Sequence, residues 1–237
     1  MAFSHSPMKR KDDAHSSRKS KKVNEYFIIF NFFEHIQPPP MFSTFKAGFS
    51  HVMKTVVQHS QFVEGMILRD VTAKGKFPYL SFCVFYLDSG TFQHDPRWIR
   101  AILEGHGNLQ VHHQAGFSEL YTFGPPPLTR TPKGLNGNET NAFIAIVFKA
   151  EGNFERLDET WQKWSGADFI QLHLPKEVKL QRLVLYKRKV PHGTFMYVLL
   201  SELKNGLAYT NSILDLIERL NERSCGYASL YVIDDLY

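Results

Sequence analysis

The sequence has little cysteine and no long apolar run. Cys83 and Cys225 are the two cysteines among 237 residues, so a disulfide framework is not indicated, and neither position has the spacing of a zinc site. We expect a reducing compartment and no bound metal. No apolar run approaches the ~20 residues that span a bilayer, which predicts a soluble protein without a membrane partner.

A surplus of positive charge is also missing from most of the chain, although the formal net charge is +5. Residues 1–24 hold seven of the 28 Lys and Arg and two of the 23 Asp and Glu, which leaves 21 residues of each sign in the remainder. A neutral remainder does not attract a phosphate backbone. The sequence therefore argues against a nucleic-acid partner.

The first 24 residues form a tail rich in Ser, Lys and His that lacks the apolar core and the cleavage site of a secretory signal. We expect this tail to be disordered. Lys9-Arg10-Lys11 and Arg18-Lys19-Ser20-Lys21-Lys22 resemble a bipartite nuclear-localisation signal, and a solvating tail is the alternative. The expected location is the cytoplasm, or the nucleus if the tail acts as a signal.

The sequence is rich in apolar and aromatic residues, at 43% and 14%, which is typical of a packed globular protein. One segment, residues 125–140, interrupts this pattern with Pro, Gly and Asn. Such a composition forms neither a helix nor a central strand. After the tail at 1–24, we therefore predict a first unit at 25–124, a linker at 125–140 and a second unit at 141–237.

The first unit has the pattern strand, helix, strand, strand, helix, strand. Runs of aromatic and β-branched residues predict strands at 26–33, within 63–71, at 79–87 and at 116–123. Apolar residues at helical spacing predict a helix from Ser43 or Thr44 to about residue 60. A second helix is predicted from Asp95-Pro96 to about Gly105, and the polar residues 105–114 are assigned to a loop.

The second unit repeats that order. Strands are predicted at 142–149, 180–189, 195–203 and 226–233, and helices at 153–164 and 209–223. Gly116-Phe-Ser-Glu-Leu-Tyr and Gly226-Tyr-Ala-Ser-Leu-Tyr begin the last strand of each unit with related residues. The predicted fold class is α+β, with two tandem ferredoxin-like βαββαβ units packed sheet to sheet as a pseudo-dimeric α/β barrel. Such a protein is a monomer or a homodimer of pseudo-dimers.

Two motifs of the second unit carry a resemblance to a known family. Trp161-Gln-Lys-Trp164 is similar to a tryptophan-bearing helix, and Leu180-Gln-Arg-Leu-Val-Leu-Tyr186 to the Arg/Tyr-bearing strand after it, in the EthD-like proteins of the dimeric α/β-barrel superfamily. The chain resembles their tandem, fungal-type form. The family's Glu-His-Ile-Pro is replaced by Asp168-Phe169-Ile170, so the histidine of that motif is missing from the second unit.

The resemblance implies a small-molecule tailoring enzyme of secondary metabolism, a lyase-like cyclase, dehydratase or decarboxylase or a cofactor-free oxygenase. Its substrate would be an aromatic or polyketide-like metabolite, converted by general acid/base chemistry without a cofactor or a metal. His59 is the first candidate acid/base, because it lies about 60° from the apolar stripe of its helix. His51, the second candidate, lies about 220° from that stripe. Further candidates are Asp168 for catalysis, and Phe82, Phe85, Tyr86, Trp161 and Trp164 for substrate binding. Phe82, Phe85 and Tyr86 are expected to form the aromatic walls of the pocket.

Three other functions remain open from the sequence. A barrel that binds a ligand or protein without catalysis is the main alternative, because neither unit has the complete family motif. An RNA-binding ferredoxin-like protein has the same element order, but the Lys/Arg and Gly of its third-strand motif are absent. His106, His112 and His113 form the densest histidine cluster, yet no carboxylate stands at ligand spacing, which favours a polar loop over a metal site.

Overall fold

The computed structural model describes residues 25–34, 44–87, 112–125, 141–149, 154–189, 194–223 and 226–237. Eight antiparallel strands in these ranges form a closed barrel in the order β1-β3-β2-β8-β5-β7-β6-β4. The strands are β1 Glu25–Phe33, β2 Phe62–Asp70, β3 Tyr79–Leu87, β4 His112–Phe123, β5 Ala142–Phe148, β6 Lys179–Arg188, β7 Tyr197–Lys204 and β8 Gly226–Leu236. The α+β barrel class predicted from the sequence is confirmed.

Helices lie outside the barrel. They are α1 Phe45–Val56, α2 Phe154–Glu159, α3 Trp161–Trp164, α4 Ala167–His173 and α5 Thr210–Arg223, with a 3-10 turn at Gly206–Tyr209. The α1 helix begins where the sequence predicts, since the Thr44 side chain accepts a hydrogen bond from the Ala47 amide at 3.1 Å. Among the described residues, no helix has the length and apolarity to cross a membrane.

Strand alternation gives the barrel an apolar interior. Even-numbered residues of β1 and β3, such as Phe30 and Phe82, point inward and are buried together with residues of β5 to β8. The odd-numbered residues of the same strands point outward, where Phe27, Ile29 and Phe85 pack under α1. Both faces of these strands are therefore buried, which explains their nearly continuous apolar sequence.

Two seams join the first four strands to the last four. Asp70 of β2 pairs with Tyr231 of β8, and Phe117 of β4 pairs with Arg188 of β6. The sequence predicts that the faces of the two sheets contact each other, and this contact occurs across the barrel interior. The two sets of strands are also hydrogen-bonded to each other edge to edge. Since every strand has two neighbours, none of them is an edge strand.

The order of the strands is the same in both sets of four. The first set runs β4-β1-β3-β2 and the second runs β8-β5-β7-β6, so that the fourth strand pairs with the first, the first with the third and the third with the second. The α1 helix covers the outer face of the first set through Phe49, Met53 and Val56. The α4 and α5 helices cover the second set.

Two local predictions are wrong. The β4 strand begins at His112, so His113 and Gln114 belong to a strand and not to the expected loop. The helix predicted at 153–164 is two short helices, and Gly166 then adopts a φ of +82°, where a Cβ would meet Leu220 at 2.7 Å, before α4 begins.

Several sequence predictions lie outside the described residues. They are the tail at 1–24, the helix at 95–105, most of the linker at 125–140, His106 and Cys225. They stay predictions.

Candidate functional site

The histidines predicted to act in catalysis lie outside the barrel. His51 is exposed on α1. His59 follows the helix in a turn, where its Nδ1 accepts a hydrogen bond from the Gln61 amide at 3.3 Å. Its ring stands edge-on to Phe85 with the centroids 6.1 Å apart. His59 therefore packs in the layer between α1 and the sheet.

The predicted aromatic walls do not line one pocket. Phe82 is buried inside the barrel and Phe85 is buried under α1, because residues three positions apart on a strand point to opposite faces. Tyr86 shares the face of Phe82 but is 38% exposed. It meets Tyr26 at a centroid distance of 6.3 Å. The expectation that these three side chains share one wall is corrected.

The candidates of the second half are also outside the barrel. Trp161 stacks on Tyr121 with ring centroids 5.1 Å apart. Trp164 packs edge-on against Phe148, and its indole donates a hydrogen bond to the Leu157 carbonyl at 2.7 Å. Asp168 is exposed on α4. Of the predicted catalytic residues, His59 contacts one predicted binding residue, Phe85, and this contact lies outside the barrel. The structure does not gather the other candidates into one site.

A different histidine lies at one mouth of the barrel, beside a carboxylate. His113 Nε2 is 3.0 Å from Glu34 Oε1, and Lys76 Nζ is 3.6 Å from the same oxygen. The hydrogen bond from His113 lowers the pKa of Glu34; burial opposes this change, and the charges of His113 and Lys76 add to it. When Nε2 donates to the carboxylate, Nδ1 of a neutral imidazole is left as a proton acceptor.

Aromatic rings surround this histidine. Phe195 lies 5.2 Å from the His113 ring centroid and Phe77 lies 6.2 Å away. Phe32 and Tyr227 pack against those two rings at centroid distances of 5.5 to 6.3 Å. We call Phe32, Phe77, His113, Phe195 and Tyr227 the aromatic mouth.

Strand register explains how these residues meet. Phe32 points inward on β1, and Glu34 follows two residues later, just past the end of the strand. His113 pairs directly with Phe32 across the β1–β4 ladder. It therefore shares the inward face with Ala115 and Phe117, both of which contribute to the interior cluster. A polar dyad at the end of an apolar interior is the arrangement expected of a binding site.

A second polar group faces the interior on β6. Arg182 is 2% exposed, and its Nη2 lies 2.5 Å from Glu119 Oε1. Burial alone would lower the pKa of Arg182, but the nearby Tyr186 and Glu119 outweigh burial and raise it. The guanidinium is therefore held as a cation by a carboxylate inside the barrel.

Sequence reasoning missed both Glu34 and His113. Glu34 stands beyond the last residue of its strand, and the polar neighbours of His113 predict a loop. One signal was available: His113, Ala115 and Phe117 alternate with polar residues, as on a half-buried strand. In the part of the chain that the structure describes, no cluster of three or more His, Cys, Asp or Glu is placed to hold a metal.

Solved structures with the same architecture define the class of the fold. An anthrone oxidase-like protein is 12% identical, with a TM-score of 0.52, over 91% of this chain and 94% of that chain. A candidate monooxygenase from Fusobacterium nucleatum is 10% identical, with a TM-score of 0.51, over 91% and 95%. The fold is thus that of the dimeric α/β-barrel proteins.

Within that class, residues 62–233 match the family described as domain of unknown function DUF7153, and the chain belongs to this family. A Caenorhabditis elegans protein, the uncharacterized protein C01C4.2, is 25% identical over 105 residues, which is 44% of this chain. Those residues are 22% of the C. elegans protein, so the chain matches about a fifth of that relative's length.

Proposed function

We propose that the protein is a small-molecule tailoring enzyme that acts on an aromatic or polyketide-like metabolite by general acid/base chemistry at the aromatic mouth. The observation that carries the proposal is the His113–Glu34 pair, 3.0 Å apart, among four aromatic rings. A carboxylate that fixes the tautomer of a histidine is the common arrangement for a general base. The rings favour a flat, apolar substrate.

The first step of the proposed reaction is the removal of a proton from a carbon that is conjugated with a carbonyl group, directly or through an aromatic ring. His113 Nδ1 takes the proton, and the electron pair of the broken C–H bond moves to the carbonyl oxygen to give an enolate. The Glu34 carboxylate stabilises the imidazolium that forms. Cyclisation, loss of water, decarboxylation or reaction with dioxygen are the outcomes that such an enolate allows. The names of the two structural neighbours, an anthrone oxidase-like protein and a candidate monooxygenase, favour dioxygen.

We also propose that the two sets of four strands arose as tandem ferredoxin-like units of an EthD-like ancestor. Both sets have the same strand order. The glycine that opens the shared sequence motif also lies against a phenylalanine ring in each set. A Cβ on Gly116 would meet the Phe27 ring, and a Cβ on Gly226 would meet the Phe148 ring. In each case the ring belongs to the first strand of its own set.

Anthrone is a suitable first probe, and deuterium incorporation from D₂O and oxygen uptake are the two readouts. His113→Gln keeps an amide that can donate to Glu34 but removes the base, so we expect a loss of about 100-fold or more in proton exchange. Glu34→Gln should lose less. His59→Ala is the matched control, because its ring packs under α1, and we expect it to react like the wild type.

Two results would contradict this assignment. Unchanged exchange in a folded His113→Gln protein would remove the proposed base, and a loss confined to His59→Ala would restore the sequence prediction. Far-UV circular dichroism checks that each variant is folded.

A barrel that binds a ligand without catalysis is the second candidate. Phe30 contacts Phe82, Phe117 and Tyr186 at centroid distances of 5.0 to 5.6 Å, so aromatic side chains fill the centre of the interior. Such packing favours a stable barrel whether or not a reaction takes place. Absence of wild-type exchange above the buffer rate, with saturable binding of the probe, would favour this second function.

A further inference from the structure

One interior cation is not matched by a carboxylate among the described residues. Arg188 shares the inward face of β6 with Val184 and Tyr186, which belong to the interior cluster. Burial lowers its pKa. Its Nε atom is buried and makes no hydrogen bond. The Nε atom of Arg182 on the same face is also buried without a hydrogen bond, but Glu119 neutralises the charge of Arg182 through Nη2.

The free edge of the Arg188 guanidinium has a definite geometry. Nη1 points to the Phe195 carbonyl, at a distance of 3.5 Å. The opposite edge carries Nε, whose hydrogen-bonding capacity is unused. Nε and Nη2 together form the fork that takes a carboxylate side-on through two parallel hydrogen bonds. A buried donor without an acceptor destabilises the folded protein, and a bound anion would offset that cost.

Arg188 is connected to the aromatic mouth through Phe195. Its guanidinium contacts the carbonyl of that residue, while the Phe195 ring packs on His113. On the β4–β6 ladder Arg188 pairs with Phe117, four residues along β4 from His113. At about 3.4 Å per residue, the two Cα positions on β4 are about 14 Å apart.

The charge balance at this end of the barrel also favours an anion. Glu34 is engaged by both Lys76 and His113, so its charge is already compensated. Arg188 adds a positive charge that none of the described acidic groups cancels. An anionic ligand would therefore enter a region with a net positive charge.

We propose that Arg188 anchors the carboxylate of an aromatic carboxylic acid whose ring system lies in the aromatic mouth. This inference rests on the proposed function for the role of the reacting end, and names the substrate class: a flat aromatic acid. The anchor binds the carboxylate through Nε and Nη2. The reacting carbon then lies toward His113.

Equilibrium binding tests the anchor independently of turnover. The probes are 2-naphthoate and its neutral isostere 2-naphthamide, titrated calorimetrically into the full chain at pH 7. For the wild type we expect 2-naphthoate to bind at least 10-fold more tightly than the amide. Arg188→Gln should abolish this preference by weakening naphthoate alone. Arg188→Lys, which keeps the charge but not the fork, should retain part of it.

Lys189→Gln is the matched control, because Lys189 is the adjacent residue and is exposed; it should keep the preference. Equal affinities for both probes in the wild type would overturn the proposal. So would failure of naphthoate to bind, or a preference that survives in Arg188→Gln. If Arg188→Gln does not fold, the ratio of the two affinities in Arg188→Lys tests the proposal instead. A preference for naphthoate as large as that of the wild type would show that Nε and Nη2 do not bind the carboxylate.

The same titration in His113→Gln separates the two proposals. If this variant still binds 2-naphthoate more tightly than 2-naphthamide, and the wild type turns over no probe, the result would support the anchor and contradict the enzyme. Turnover of anthrone by the wild type, together with equal affinities for 2-naphthoate and 2-naphthamide, would support the enzyme and contradict the anchor.

Discussion

Replacing Gly116 by alanine tests the packing of the first strand set. A Cβ at this position would stand 2.3 Å from Cζ and 2.6 Å from Cε2 of Phe27. Carbon atoms in contact lie about 3.5–4.0 Å apart, so the ring would have to move by more than about 1 Å. Phe27 is 5% exposed and packs with Ile29 and Phe49, which limits that movement.

The expected cost combines two opposing effects. Inserting a methyl group into a packed core costs about 1–3 kcal/mol, whereas alanine is better than glycine in a strand by about 0.5–1 kcal/mol. We therefore expect Gly116→Ala to lower the free energy of unfolding by about 1–2 kcal/mol. In a Phe27→Leu background the ring atoms are gone, so the same substitution should become neutral or stabilising.

Urea unfolding followed by far-UV circular dichroism measures the free energy of unfolding of the wild type, the two single variants and the double variant Gly116→Ala/Phe27→Leu. The slope m is compared among these four proteins. Gly226 provides the matched position. A Cβ there would meet the Val147 carbonyl oxygen at 2.7 Å as well as the Phe148 ring at 2.8 Å. Because a backbone atom cannot be removed, Gly226→Ala should stay costly in a Phe148→Leu background. Additive effects of Gly116→Ala and Phe27→Leu would refute the packing argument.

Three further predictions concern buried polar groups. Burial raises the pKa of the Cys83 thiol to about 12, so at pH 8 mass spectrometry should find Cys83 unalkylated in the folded protein and alkylated after unfolding. Asp158 accepts a hydrogen bond from Tyr197 at 2.8 Å; Asp158→Ala should cost about 1–3 kcal/mol in urea unfolding, and less in a Tyr197→Phe background. Burial raises the pKa of Tyr237 to about 12. Above pH 10 the unfolded phenol ionises before the folded one, so stability should fall between pH 10 and pH 12, less steeply in Tyr237→Phe.

The sequence predicts the strands better than the site. The β3 strand occupies 79–87 as predicted, because residues buried on both faces leave a continuous apolar run. The helices of the second half are harder to predict. Trp161 and Trp164 keep helical spacing, although one helix ends at Glu159 and the next begins at Trp161. Gly166 marks a further break, and its positive φ is not visible in the periodicity of the apolar residues.

The site depends on the register of neighbouring strands, which the sequence alone does not show. His113 faces the interior because it pairs with Phe32 of β1, and Phe195 reaches it from the start of a strand in the other set. The closure of the barrel brings the five distant segments of the aromatic mouth together. The opposite faces of Phe82 and Phe85, by contrast, follow from strand alternation and could have been predicted.

The two seams that close the barrel within one chain free it from two-fold symmetry. A barrel made of two identical chains has an axis that copies every substitution to both ends. Here one end has the His113–Glu34 pair, while Arg182 and Glu119 face each other on the β4–β6 seam. A single mutation therefore alters one end and leaves the other as an internal reference. Evolution can equally change one end for a new ligand while the other preserves the stability of the barrel.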